Sequence, residues 1–355
     1  MKFGIAIPTD SDSWRLVRRA EELGFHHAWF YDTQLLSADC FVAMAACAMR
    51  TTRIRLGTGV LIPSNRIAAV TANAFASLNK LAPGRIDFGI STGFTGRRTM
   101  GLGAVKLSDM EEYIRVVQAL WRRETVEAEV EGKQRLIRFL NPDLGLINLN
   151  DPMPLYIAAS GPRARALTAK LAAGWIDGAV SVAHASANLG LMRTAWSQAG
   201  HAIDLNAVAW AGGAVLEPGE PADSPRVIAQ AGPRAAVMLH RAADQALSGL
   251  QNTAPLPAQF QDIAAKYVEM VRSYGPQGAY YLSNHRGHLM FVRPDERPFL
   301  TAELIRHSTW TATAPELIER IAAIEAAGFS QIVFSILPGQ EHAIEDWGRI
   351  RRAFA

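Results

Sequence analysis

Cysteine is almost absent from this chain: Cys40 and Cys47 are the only two in 355 residues. That excludes a disulfide framework, and neither C-x-x-C nor H-E-x-x-H occurs, so no metal site is expected. The two cysteines are seven residues apart in an Ala/Met-rich helical stretch and are expected to share one buried face. No apolar run reaches the roughly 18 residues needed to cross a bilayer. The N-terminus, MKFGIAIPTDSD, turns polar after eight residues and reads as strand and loop rather than signal peptide, so a cytoplasmic protein with no membrane partner is expected. Lysine is scarce too, 6 against 30 arginines. Arginine suits bidentate anion contacts, although a GC-rich genome produces the same bias. A net charge of +3 is too small to argue for nucleic acid. GxxxxGK[ST] is missing, which excludes a Walker-type NTPase.

What is present is a large core: 49% hydrophobic residues against 19% charged. Apolar strand-like runs alternate with amphipathic helices. Strands are expected at 3–7, 27–31, 53–61, 85–90, 155–159, 175–180, 207–216 and 331–336. Helices are expected at 12–23, 39–49, 68–81, 108–123, 164–173, 189–199 and 342–354. The fourth of these helices opens with a capping box, Ser108 with Glu111. Residues 124–138 read as a short hairpin. Eight strands each followed by a helix imply a parallel sheet closed into an α/β (β/α)8 barrel, with a doubly wound open sheet as the alternative. The seventh and eighth strands are about 115 residues apart, far beyond an ordinary connection. Residues 217–330 therefore read as a mainly helical insertion or lid within one domain spanning 1–355, with helical stretches at 225–250, 257–274 and 314–327.

In such a barrel the site lies at the carboxyl ends of the strands. Asp32 ends the very apolar second strand and is the candidate catalytic residue; a helix cap or an arginine partner is the competing reading. Gly57, Thr58 and Gly59 end the third strand, where glycine lets a planar ring approach the backbone. Ser91, Thr92 and Gly93 end the fourth. Ala159, Ser160 and Gly161 run into a helix with Pro162 at its first position, leaving backbone N–H groups and the helix dipole for a phosphate. Ser181 ends the sixth strand. The pentapeptide Gly89–Gly93 also fits G-x-S-x-G, but no helix follows at once and no oxyanion loop precedes it, so a Ser91 nucleophile is rejected.

The chain resembles the bacterial luciferase-like superfamily of flavin- and deazaflavin-dependent oxidoreductases, within it most closely the methylenetetrahydromethanopterin-reductase-like branch. The likeness rests on AEELGFHHAWFYD (20–32), RTTRIRLGTGV (50–60), LNKLAPGRIDFGISTGFTGRRTMGL (78–102), PLYIAASGPRARALTAKLAAGWIDG (154–178) and TAPELIERIAAIEAAGFSQIVF (313–334). The resemblance implies FMN, or alternatively the deazaflavin F420, with its ring against a non-proline cis peptide within Gly57–Val60 and its phosphate near Ser160–Gly161. It departs from the pattern at Thr33 and at Ile62–Ile67, where many relatives carry histidines.

The reading placed first is an FMN-dependent oxygenase of a two-component monooxygenase, acting on a small molecule and supplied by a separate flavin reductase. F420-dependent hydride transfer is the alternative, with Arg97, Arg98 and Arg163 as a possible basic groove for its acidic tail. A non-catalytic flavin-binding protein is a third reading. A homodimer or higher homo-oligomer is expected. Tyr280, Tyr281, His285 and His288 of the insertion are read as facing either the pocket or the packing.

Overall fold

A computed structural model describes residues 1–250, 256–275 and 278–354. Its strands are β1 (Lys2–Ile7), β2 (His27–Phe30), β3 (Arg55–Thr58), β4 (Ile86–Ile90), β5 (Val126–Val130), β6 (Lys133–Ile137), β7 (Leu155–Ala158), β8 (Gly174–Asp177), β9 (Ala207–Ala211), β10 (Val215–Leu216), β11 (Ala312–Thr313) and β12 (Gln331–Ser335). Eight of them close a parallel barrel in the order β1-β12-β9-β8-β7-β4-β3-β2. Closure is made where the first strand meets the last, Phe3 opposite Ile332 and Ile5 opposite Phe334. The open-sheet alternative is thereby ruled out. The barrel strands are largely buried, so most of them read as apolar runs.

The helices are α1 (Trp14–Glu22), α2 (Cys40–Ala48), α3 (Ala68–Leu81), α4 (Thr95–Arg98), α5 (Leu107–Trp121), α6 (Pro162–Lys170), α7 (Val182–Gln198), α8 (Pro225–Ser248), α9 (Gln261–Arg272), α10 (Tyr281–Asn284), α11 (Ala302–Ser308), α12 (Ala314–Ala327) and α13 (Ala343–Arg352). Cys40 and Cys47 are both buried on α2, as their spacing predicts. Asp39 caps that helix, accepting from the Phe41 and Val42 amides. The predicted capping box at Ser108 does not form. Lys106 is the N-cap of α5 without a side-chain bond, and Ser108 turns to Asp109 instead. A true capping box sits at Thr313–Glu316 on α12. Helix α7 starts seven residues earlier than its apolar period suggests, because Ser181 caps it by accepting from the His184 amide.

Residues 217–330 divide into two physical parts. Helices α8, α9 and α11 bury Val227, Leu239, Tyr267, Val271 and Leu304 in a second hydrophobic cluster of their own. Helix α12 instead puts Leu317, Ile321 and Ile324 into the barrel's core. Residues 251–255 and 276–277 of this tract lie outside the described set. The predicted seventh strand is interrupted at Gly212–Gly213. A Cβ on Gly213 would fall 2.6 Å from the Trp310 carbonyl carbon, so glycine lets β9 pass close under that loop before β10 pairs with β11. No helix among the described residues is long and apolar enough to cross a membrane.

Candidate functional site

A cavity of about 300 Å³ opens at the carboxyl ends of the barrel strands. It is large enough for a fused ring system. Its floor and walls come from Tyr31, Asp32 and Thr33 after β2, from Gly59 and Val60 after β3, from Ser91 and Gly93 after β4, and from Ala159 and Ser160 after β7. Trp210 of β9, Ser335 of β12, and Arg234, Arg241 and His288 of the tract between β10 and β11 also line it. Of the predicted site residues, the fold brings Asp32, Gly59, Ser91, Gly93, Ala159 and Ser160 to the cavity.

The others stand outside the cavity wall, each in a visible structural setting. Gly57 points into the barrel, where a Cβ would lie 2.7 Å from the Trp29 ring, so its missing side chain accommodates tryptophan rather than a ligand. Thr58 is buried and donates its hydroxyl to the Gly89 carbonyl at 2.6 Å, tying β3 to β4. Thr92 uses its carbonyl to accept from the Val105 amide. Gly161 is the N-cap of α6, with open space where a Cβ would stand. Ser181 is the cap of α7.

The peptide bond Gly59–Val60 is cis, within the predicted window. It forms a wall with no side chain at Gly59, since a Cβ there would collide with Trp210. Trp210 is held in turn against Tyr31, with ring centroids 6.3 Å apart. The Tyr31 hydroxyl lies 3.1 Å from Ser335 Oγ. Ser91 donates its hydroxyl to the Ala158 carbonyl at 3.0 Å, with no histidine bonded to it, which agrees with rejecting a nucleophile.

Asp32 reaches the cavity but spends its carboxylate on the loop after β3. It accepts from the Ile62 amide at 3.1 Å, Asn65 Nδ2 at 3.1 Å and an Arg66 guanidinium nitrogen at 2.8 Å. The arginine-partner reading of Asp32 is thus the one the geometry favours. Asp177 is the other buried acid here. Burial raises its carboxyl to about 6, opposed by hydrogen bonding from Asn188.

Two cationic wall residues escaped the sequence reading. Arg234 is held below the ordinary arginine range by burial, against the opposing charge of Asp177. Arg241 is lowered to about 10 by burial and by Arg234 and Arg98. These two are seven residues apart, two turns along one face of α8, which was the available signal. Arg98, read as part of a basic groove, pairs with Asp244 and lies over Phe94 at 4.2 Å. Arg97 binds the Gly103 carbonyl and Ser64, and Arg163 is exposed away from the cavity wall. Of Tyr280, Tyr281, His285 and His288, His288 alone lines the cavity. Its ring joins His240 and His285 in a buried trio, contrary to the expectation that no metal-capable cluster exists.

A family profile described as luciferase-like monooxygenase matches residues 1–331. An F420-dependent glucose-6-phosphate dehydrogenase of Beutenbergia cavernae is 36% identical over 141 residues, 38% of this chain and 40% of that protein. A 5,10-methylenetetrahydromethanopterin reductase of Archaeoglobus fulgidus is 30% identical over 179 residues, 49% of this chain and 52% of that protein. The chain thus spans about half the length of the curated relatives it matches, or less. The solved coenzyme F420 dependent tetrahydromethanopterin reductase of Methanopyrus kandleri superposes with a TM-score of 0.71 at 18% identity, covering 98% of this chain and 97% of that one. A monooxygenase from Streptomyces bottropensis superposes with a TM-score of 0.64 at 19% identity, covering 100% of both chains. At these identities the two structures speak for the fold alone.

Proposed function

This chain belongs to the luciferase-like monooxygenase family, and from that premise we propose that it is an F420-dependent oxidoreductase transferring hydride to or from a small substrate. The observation that carries the reading is the cis Gly59–Val60 peptide, with no side chain at Gly59 and Trp210 packed behind it, at one side of a cavity of ring-system size. The curated relatives, named as F420-dependent dehydrogenases and a methanopterin reductase, favour the deazaflavin over FMN. This reverses the order set by the sequence alone, which put an FMN oxygenase first.

The residues present fit such a cofactor. Gly59 and Val60 would lie against the ring, with Ser91 and Gly93 along its edge. Ser160 and Gly161 lead to the free N-terminus of α6, where the open space beside Gly161 admits an anion to the backbone N–H groups. A deazaflavin supplies two-electron hydride chemistry when bound. The protein's part is to hold the ring flat, exclude water under the insertion, and offer a proton donor or acceptor on the substrate side. Asp32 is too fully engaged by the 62–66 loop to serve there, and Thr33 stands where many relatives carry histidine. Arg234 and Arg241 favour a substrate or cofactor group of negative charge on that side.

The test is equilibrium binding of the purified chain to F420 and, separately, to FMN, followed by fluorescence quenching. Tight F420 binding with FMN at least tenfold weaker is expected. FMN binding tighter than F420 would overturn the proposal and restore the oxygenase reading.

A further inference from the structure

His240 Nε2 lies 2.5 Å from Glu296 Oε1, and His240 Nδ1 lies 2.6 Å from His288 Nδ1. His285 is arranged in parallel, its Nε2 3.0 Å from Asp244 Oδ1 and its Nδ1 3.4 Å from His288 Nδ1. His288 Nε2 is buried and has no hydrogen-bond partner among the described residues, and His288 is one of the residues lining the cavity. The backbone presents this ring from a tight bend: Gly287 and Leu289 on either side have φ of 77° and 58°.

Hydrogen-bond accounting sets the protons. Glu296 is buried, which pushes its carboxyl up, but His240 and Arg293 outweigh this and hold it below the usual range. An ionised carboxylate only accepts, so His240 carries its proton on Nε2 and offers a lone pair at Nδ1. Burial pulls the His240 imidazole below the ordinary histidine range, which favours its neutral form, although Glu296 opposes this. With a neutral His240, the 2.6 Å contact has His288 donate from Nδ1, which leaves Nε2, a buried atom of a residue that lines the cavity, as a bare lone pair.

We propose that His288 Nε2 is a proton-acceptor site, built into the insertion, that engages a hydroxyl of the bound ligand and discharges the proton through His240 onto the Glu296 pair. This deepens the proposed function, since it rests on the cavity being the substrate site. As Nε2 gains the ligand's O–H proton, the Nδ1 proton crosses to His240 Nδ1. The positive charge ends on His240 beside Glu296, and His288 returns to a neutral ring. Charge placement gives the reason for the relay. An imidazolium at His288 would face Arg234 and Arg241 from α8 as well as His240 and His285, and burial with these neighbours holds His288 well below the ordinary histidine range. Beyond them, Arg98 is paired with Asp244, and Arg293 with Glu296.

The same trio has the composition of a three-histidine metal nest. Two observations weigh against that use. Two nitrogens on a tetrahedral zinc with bonds of about 2.0–2.1 Å stand about 3.3 Å apart, whereas His240 and His288 are at hydrogen-bond distance. The surrounding arginines would also add repulsion for a dication.

The first test needs no cofactor. Histidine-selective ¹⁵N spectra of the apoprotein should show His288 protonated on Nδ1 and bare on Nε2 across neutral pH. The second uses 4-nitrophenol, whose phenolate is yellow, against its methyl ether 4-nitroanisole. The phenol is expected to bind at least tenfold more tightly and to turn yellow on the protein, with both effects lost in His288→Phe. In Glu296→Gln the phenol should still bind, within threefold, but with the yellow form reduced at least fivefold. An Nε2–H tautomer, an imidazolium at neutral pH, a phenol that binds no better than its ether, or an unchanged His288→Phe response would overturn the proposal. So would uptake of one zinc per chain that is lost in His288→Phe. F420 binding is measured separately, so its failure leaves this proton-acceptor result readable by itself.

Discussion

Replacing Asp32 by alanine separates a structural from a catalytic acid. Asp32 is 4% exposed, and its two oxygens hold the Ile62 amide, the Asn65 amide group and the Arg66 guanidinium. Arg66 also pairs with Asp39, the cap of α2, so the carboxylate joins the loop after β3 to the start of a barrel helix. Removal leaves three donors, one of them charged, without their acceptor. Breaking a buried ion pair by deleting one partner costs about 3–5 kcal/mol. At about 2 °C per kcal/mol for a chain of this size, the melting temperature should fall by roughly 6–10 °C. Ile62 also walls the cavity, so cofactor affinity should fall with stability. Differential scanning calorimetry and F420 titration on the same protein measure both. Asp32→Asn, which keeps one acceptor oxygen, should lose about half as much stability. The reasoning fails if Asp32→Ala melts within 2 °C of wild type and binds cofactor normally, yet loses turnover. That result would return Asp32 to a catalytic role.

Other consequences can be checked in the same preparations. Gly59→Ala forces a methyl into Trp210 and against Trp29 Cβ at 2.8 Å. It should cost about 1–3 kcal/mol by denaturation, perturb the near-ultraviolet tryptophan spectrum and weaken cofactor binding at least tenfold. Ser91→Ala loses one hydroxyl-to-carbonyl bond and should keep turnover within tenfold; complete loss of turnover with cofactor still bound would revive the nucleophile. Burial raises the Asp177 carboxyl from its ordinary 3.8 to about 6 in the folded protein. A raised acid makes the folded state hold its proton longer, so its penalty is absent below pH 4, grows between pH 4 and 6, and stays constant above. Asp177→Asn should therefore gain up to about 3 kcal/mol over wild type on going from pH 4 to pH 7, read as a difference in melting curves. A constant difference across that range would remove Asp177 as the cause.

The barrel was legible because its strands are apolar runs and its helices carry their own punctuation. Gly24 stops the first helix, Asp39 starts the second, and Pro162 opens the one after the fifth barrel strand. Where reading failed, a local rule lost to a tertiary contact. Ser108 satisfies a capping pattern, yet the helix begins one residue before it, at Leu107. Gly57 looked like a ligand contact, yet the barrel interior needs that space for Trp29. The helix 314–327 lies within the long tract after the seventh strand, but its apolar face is complementary to the barrel, so it packs there.

Alternation of buried strand and amphipathic helix determined the closed barrel, and the glycines after β3 and β4 marked the cavity's rim, because period and backbone freedom are local properties. What converges on the cavity from a distance was decided only in three dimensions. Arg234 and Arg241 enter from α8, while His288 comes from a loop 48 residues beyond its hydrogen-bond partner His240. Asp32 carries a short-range signal for chemistry, but its partners lie 30 to 34 residues ahead, and they turn its carboxylate into a strut. The direction of a proton along Glu296, His240 and His288 follows from burial and from which nitrogen faces which oxygen. Neither quantity exists until the chain has folded.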